Sequence, residues 1–223
     1  MSDDAGSGFY IVNYTANFSQ SMDSWEVDFA DYPASKDDSI KYALTTGMTK
    51  MPTTTGIAGD GLLVSGNNSN TGLFMFLKRK IDGLNPNTDY TIVFDVTLAS
   101  NAPAGLINGS YADSPGQSVY LKVGAVNRNP MKVIQGDYYR MNIDKGDQGA
   151  SGSDMVTIGD IGVLANTQNY TIITRSNSTA NTSIVARTNG DGELWLIVGT
   201  DSIFTGTTTI YYSRIDVVFS ANQ

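Results

Sequence analysis

Three features of this 223-residue sequence predict an all-β fold, a jelly-roll β-sandwich of two antiparallel sheets. Runs of β-branched and aromatic residues, about four to eight long, recur between clusters of Gly, Asn, Asp and Pro. No segment sustains the 3.6-residue period of an amphipathic helix. The acidic residues are nearly all aspartate, with Glu26 and Glu193 the two glutamates, and Asp favours turns over helix interiors. A sandwich of this length forms as one domain. Residues 9–223 are therefore expected to be that domain, and the small, polar residues 1–8 to be a flexible tether.

Phe9 to Tyr14 and Trp25 to Phe29 read as the first strands. Ser65 to Gly72 breaks the chain before a strand from Leu73 to Lys80. Leu84-Asn-Pro-Asn-Thr88 supplies a proline-set turn into the clearest strand of all. There Tyr90, Ile92, Phe94, Val96 and Leu98 alternate with Thr91, Val93, Asp95 and Thr97, giving one buried and one mostly polar face. Ala99 to Pro115, rich in Gly, Ala, Ser and Pro, reads as a long loop where binding function would concentrate. Val119, Leu121 and Val123 mark a further strand. Leu194 to Val198 is apolar on both parities and is expected to be central, with Trp195 in the core. The closing strand places Ile210 and Tyr212 on one parity and Ile215, Val217 and Phe219 on the other, which predicts a bulge around Ser213 and Arg214.

Composition narrows the chemistry. There is no cysteine and no histidine, which excludes thiol nucleophiles, disulfides, thiolate zinc sites, Ser-His-Asp triads and the usual general base near neutral pH. A net charge of −8 repels phosphate backbones, so nucleic acid is not an expected partner. No apolar run is long enough to span a bilayer as a helix. Met1 is expected to replace a removed export signal, one ending in a lipidated cysteine.

Several stretches carry a resemblance: Asp28-Phe-Ala-Asp-Tyr-Pro33, Ser65-Gly-Asn-Asn68 with Leu73-Phe-Met-Phe-Leu-Lys-Arg79, Ser118 to Ala125, Tyr139-Arg-Met-Asn-Ile-Asp-Lys-Gly146 and Glu193 to Asp201. Together they resemble a group of exported bacterial proteins with a jelly roll similar to galactose-binding-like domains and carbohydrate-binding modules. The resemblance implies an extracytoplasmic domain, periplasmic, outer-membrane-anchored or secreted, and it bears on fold and location more than on activity. Members of that group carry His, Ser and acidic residues after the Asn-Asn pair. This chain has Ser69-Asn70-Thr71-Gly72 instead, which speaks against a metal or catalytic role for that loop.

Two kinds of site follow from the residues. Asp144, Asp147 and Asp154, in a glycine-rich loop, could supply oxygen ligands to a structural calcium ion; no other cofactor is implied. A solvated loop with Asx turns explains the same residues. Sugar binding asks for aromatic faces beside hydrogen-bonding groups, and the candidates are Tyr111, with Tyr138 and Tyr139 next to Arg140 and Asn142. Trp25 lies near Asp28, Asp31 and Tyr32 but is assigned to the core. Asn189-Gly-Asp-Gly-Glu193 carries a hairpin signal, and Lys78-Arg79-Lys80 alternates across a strand, with aspartate partners expected. The leading expectation is an exported, non-catalytic binding module for carbohydrate or another polar surface ligand. The alternatives are a structural or adhesive envelope domain working through protein contacts and, third, a carboxylate- or metal-dependent hydrolase, for which no converging carboxylate pair is visible.

Overall fold

The alternation read from Tyr90 to Leu98 forms the strand it predicts: Tyr90, Ile92, Phe94, Val96 and Leu98 are fully buried, while Thr91 and Asp95 are exposed. A computed structural model describes residues 9–69, 72–105, 114–164 and 169–222. Its strands are β1 (Phe9–Asn17), β2 (Glu26–Ala30), β3 (Tyr32–Pro33), β4 (Thr45–Lys50), β5 (Asp60–Asn68), β6 (Leu73–Ile81), β7 (Asp89–Ser100) and β8 (Val119–Val126). They continue with β9 (Lys132–Gln135), β10 (Tyr138–Met141), β11 (Met155–Asp160), β12 (Thr171–Ser176), β13 (Val185–Arg187), β14 (Leu194–Ser202) and β15 (Gly206–Asn222). Helix among the described residues is limited to α1 (Lys36–Ser39), α2 (Pro115–Ser118) and two short 3₁₀ turns.

The strands build an antiparallel β-sandwich. One sheet runs β12-β7-β15-β5-β4, with β1 also on β15 and β13 also on β7; the other runs β11-β8-β14-β6-β2. Successive strands cross repeatedly from one sheet to the other, so neither sheet can bury its inner face without the other. The inner faces meet in one core that includes Trp25, Leu77, Phe94, Leu121, Leu196, Tyr212, Val217 and Phe219. β15 shows the predicted irregularity: its register on β7 slips between Tyr212 and Arg214. The Ser213 carbonyl freed there accepts the Phe18 N–H at 3.0 Å, and both apolar sets, on opposite parities, reach the same core.

A third, three-stranded sheet, β3-β10-β9, was not anticipated. It and the following loop flank the outer face of the five-stranded sheet, where Phe74, Phe76, Ile143, Met155 and Ile197 form a second buried cluster. That cover explains why Leu73 to Leu77 is apolar on both parities.

Two expectations need correction. Trp195 does not enter the main core; it is half-buried on the outer face, packed against the second cluster, with the Lys78 ammonium 5.3 Å from its ring. The parity of β14 sends Leu194, Leu196 and Val198 inward, and Trp195 and Ile197 the other way. The turn at Asn189–Glu193 is tied by the Asn189 Oδ1, which accepts the Asp191 and Glu193 N–H groups at 3.0 and 2.9 Å. It is not a hairpin, however, since it joins β13 of one sheet to β14 of the other. The basic run alternates as expected, but two of its partners are glutamates: Lys78 pairs with Glu26, Arg79 with Asp23 and Lys80 with Glu193.

Candidate functional site

The loop from Asp144 to Asp154 is organised by its own carboxylates. Asp144 accepts the N–H groups of Gly146 and Ser153 at 3.0 and 2.8 Å, and these bonds hold its carboxyl below the ordinary range. Asp154 accepts the Asp144 N–H at 2.8 Å and the Arg128 guanidinium at 2.5 Å. Gly146 stands at φ +70°, where a Cβ would also collide with the Ala150 carbonyl. Asp147 is exposed. The calcium expectation gains no support from this arrangement: Asp144 and Asp154 are engaged by backbone N–H groups, Asp147 is exposed, and among the described residues no three acidic side chains converge as ligands.

A lysine fills the loop instead. The fully buried Lys122 Nζ, from β8, donates to the carbonyls of Lys145 and Ala150, both at 2.8 Å, and lies 3.3 Å from Asp201. Lys145 reaches Asp201 at 2.6 Å and Asp31 at 2.9 Å, and Asp31 in turn pairs with Arg140 at 3.1 Å. Burial opposes both ammonium groups. Lys145, with two carboxylate partners, is nonetheless held above the ordinary lysine value; Lys122, sharing one, is pulled below it. Burial also pushes Asp201 up, against the pull of both lysines.

This charged chain ends at β10, where alternation places Tyr138 and Arg140 on one face and Tyr139 and Met141 on the other. The Arg140 guanidinium lies 4.7 Å from the Tyr138 ring centre. Tyr139 turns away, to pack on Tyr32 at 5.0 Å and beneath Lys132 at 5.1 Å. Asn142 is committed as a clamp: its Oδ1 accepts the Met131 N–H, and its amide donates to the Asn129 carbonyl. Of the predicted sugar-contacting residues, then, Tyr138 and Arg140 are brought together, Tyr139 and Asn142 serve packing and turn formation, and Tyr111 lies outside the described residues.

Tyr138 borders a cleft of about 770 Å³. One wall is the tip of the β9–β10 hairpin, a two-residue turn in which Gly136, at φ +61°, presents Asp137. The opposite wall is the segment Pro33 to Tyr42. There Ser35 caps α1 by accepting the Asp38 N–H, while the Asp38 carboxylate takes the Ser35 hydroxyl at 2.8 Å and the Lys41 ammonium at 2.8 Å. Lys41 and Ser35 together keep the Asp38 carboxyl below the usual range. Tyr42, almost wholly buried, and Ser69 complete the lining. Burial raises the Tyr42 phenol, with Ser69 acting in the opposite sense; the hydroxyl has no well-formed hydrogen bond among the described residues. Sequence reading missed Asp38, Lys41, Tyr42 and Asp137. Ser35-x-x-Asp38 is a helix-start pattern and Gly136-Asp137 a hairpin turn, but neither says that the two walls face one another.

No protein-family model and no curated protein matches the chain. Solved structures that resemble it include the family 11 carbohydrate-binding module of the cellulosomal cellulase Lic26A-Cel5E of Clostridium thermocellum, at 10% identity, 93% of this chain, 95% of that chain and TM-score 0.40. The CBM22-1 xylan-binding domain from Paenibacillus barcinonensis Xyn10C shows 10% identity over 96% of this chain and 97% of that chain, TM-score 0.41. The enzymatically active domain of tailspike protein 4 of bacteriophage CBA120 shows 10% identity over 90% of this chain, TM-score 0.37, and this chain spans 20% of its length. Superpositions this loose say nothing about a ligand.

Proposed function

We propose that this domain is a non-catalytic carbohydrate-binding module whose sugar sits in the cleft between the β9–β10 hairpin tip and the Pro33 to Tyr42 segment. The observation that carries the reading is the lining itself: the half-buried Tyr138 ring with two aspartates and two serines on one concave surface, and Tyr42 buried behind them. Saccharide recognition needs that pairing of flat apolar faces with fixed acceptors and donors. Asp38 suits the role because both its oxygens are pre-oriented by Ser35 and Lys41. The same contacts stabilise its ionised form and make it a poor proton donor, which weighs against glycoside hydrolysis. The reading goes with a domain that works outside the cytoplasm, anchored by lipid or secreted.

Titration calorimetry against a panel of neutral oligosaccharides tests it. Binding that weakens at least about tenfold in Tyr138→Ala, with the melting temperature held, supports the site, since tenfold corresponds to losing one good contact of about 1.4 kcal/mol. No heat with any oligosaccharide, or an unaffected Tyr138→Ala, overturns it.

A second reading rests on β9, an edge strand whose Val133 and Ile134 are 40% and 68% exposed, preceded by Met131 at 41%. An apolar edge is where another protein adds a strand or docks, and an envelope domain working through protein contacts would use it. Loss of association on Ile134→Lys, with sugar binding unchanged, would separate this surface from the cleft.

A further inference from the structure

Of the cations in or near the cleft, Lys41, Arg140 and Lys132 each have a carboxylate partner, Arg140 sharing Asp31 with Lys145. Lys41 pairs with Asp38 at 2.8 Å, Arg140 with Asp31 at 3.1 Å and Lys132 with Asp28 at 2.7 Å. On α1, Lys36 and Asp37 are exposed neighbours outside the lining and offset one another. Asp137 differs. It is exposed at the tip of the hairpin, its backbone carbonyl is used by the Ala34 N–H at 2.9 Å, and its carboxylate has no ion pair or hydrogen bond among the described residues. The uncompensated charge of the lining is therefore negative, in a chain that itself carries −8.

Resting on the reading of the cleft as a sugar site, we propose that Asp137 makes it selective for amine-bearing saccharides, such as oligomers of glucosamine, over their N-acetylated forms and over acidic glycans. An ammonium on the sugar ring meets a carboxylate that folding has left unpaired, so it displaces no existing partner. An N-acetyl group brings a neutral amide and forgoes that attraction. A uronate or sulfate brings a second negative charge beside Asp137, with Lys41 and Asp38 already neutralising one another. Two opposite charges about 4 Å apart at a wetted surface favour the complex by about fivefold or more, and the gain falls as salt screens it.

The test is calorimetry of the intact chain with three probes of equal length at about pH 6, where amines and exposed carboxylates are both charged: oligoglucosamine, oligo-N-acetylglucosamine and oligogalacturonate. The expected order is glucosamine tightest by about fivefold to tenfold, N-acetylglucosamine next and galacturonate weakest. The first gap should close in Asp137→Asn and at about 0.5 M salt. Asp82→Asn, on the β6–β7 connection outside the cleft, controls for general attraction of a polycation to an acidic protein and should leave the gap intact. If the acetylated and free-amine oligomers bind alike, or if Asp82→Asn closes the gap as well as Asp137→Asn does, the selectivity proposal is overturned while the sugar site stands. If none of the three probes binds while a neutral oligosaccharide does, the selectivity proposal alone is overturned; if no oligosaccharide binds at all, or Tyr138→Ala changes no affinity, the sugar site fails with it.

Discussion

Lys145 and Asp201, 56 positions apart in the chain, meet at 2.6 Å beneath the loop they help to close. Lys145 spans from Asp201 on β14 to Asp31 at the β2–β3 junction, so one side chain ties the five-stranded sheet to the small sheet that carries Tyr138. Removing it leaves two carboxylates buried without their shared ammonium. Lys145→Met is expected to cost about 3–5 kcal/mol in denaturant unfolding. The double variant Lys145→Met, Asp201→Leu should cost less than the sum of its two single changes, because each single change strands a charge that the other removes, although Lys122 also loses its carboxylate. Additive losses in the double-mutant cycle would show that the two residues are not coupled.

Tyr212 makes the opposite case. Its ring fills the main core and its hydroxyl is buried with no hydrogen-bond partner among the described residues, which pushes the phenol well above its ordinary pKa. Tyr212→Phe removes an unsatisfied polar atom and keeps the ring, so it is expected to be neutral or stabilising, by up to about 1 kcal/mol. A loss of stability on urea unfolding would mean that the hydroxyl has a partner, such as a buried water.

Trp25 and Trp195 should be separable by fluorescence. The Trp25 indole is buried in the core, its N–H donating to the Tyr14 hydroxyl at 2.9 Å, whereas Trp195 is half-buried beside Lys78. Acrylamide quenching should fall sharply in Trp195→Phe, and the remaining emission should shift to the blue. Equal quenching of wild type and variant would contradict that assignment.

What the sequence disclosed and what it withheld divide along physical lines. Strand alternation reports which face of one strand is buried, so Tyr90 to Leu98 and the slip at Ser213 were legible residue by residue. The placement of Trp195 failed because a run that is apolar on both parities tells only that both faces are covered, not by what. The third sheet supplies that second cover, and its strands β3, β9 and β10 span only two to four residues, too short for periodicity to register. The cleft is harder still to foresee. Tyr138 and Arg140 were legible as near neighbours in the chain, but not the strand that puts them on one face, and Tyr42 and Asp38 join them through the pairing of Tyr138 with Pro33, a long-range contact with no local signature.

The Asp144 carboxylate gives the loop a predictable acid sensitivity. Its pKa is depressed in the folded protein by the Ser153 and Gly146 N–H groups. The stability it contributes is therefore present above the unfolded-state value of about 4 and is lost as pH falls through the lower folded value. Asp144→Asn should melt below wild type at neutral pH, and the difference should shrink steadily on acidification below about pH 4. A gap that stays constant with pH would mean that the carboxylate's charge is not what holds the loop.

Lys122 decides how the same loop responds to metal. Its ammonium donates to the Lys145 and Ala150 carbonyls and faces Asp201, so the oxygens a loop-bound cation would want are already turned toward a built-in positive charge. A divalent ion entering there would have to displace that charge and meet Lys145 as well. Added calcium or EDTA is accordingly expected to leave the melting temperature of the wild type unchanged, because a ligand stabilises only by binding the native state. Lys122→Met should be strongly destabilised, by about 3–5 kcal/mol, since it leaves a buried and a part-buried carbonyl and part of a carboxylate unpaired. Lys122→Ala loses the same contacts but opens space among those oxygens, and it alone should gain stability when calcium is added. A calcium-dependent shift in the wild type, or none in Lys122→Ala, would show that the lysine does not take the cation's place.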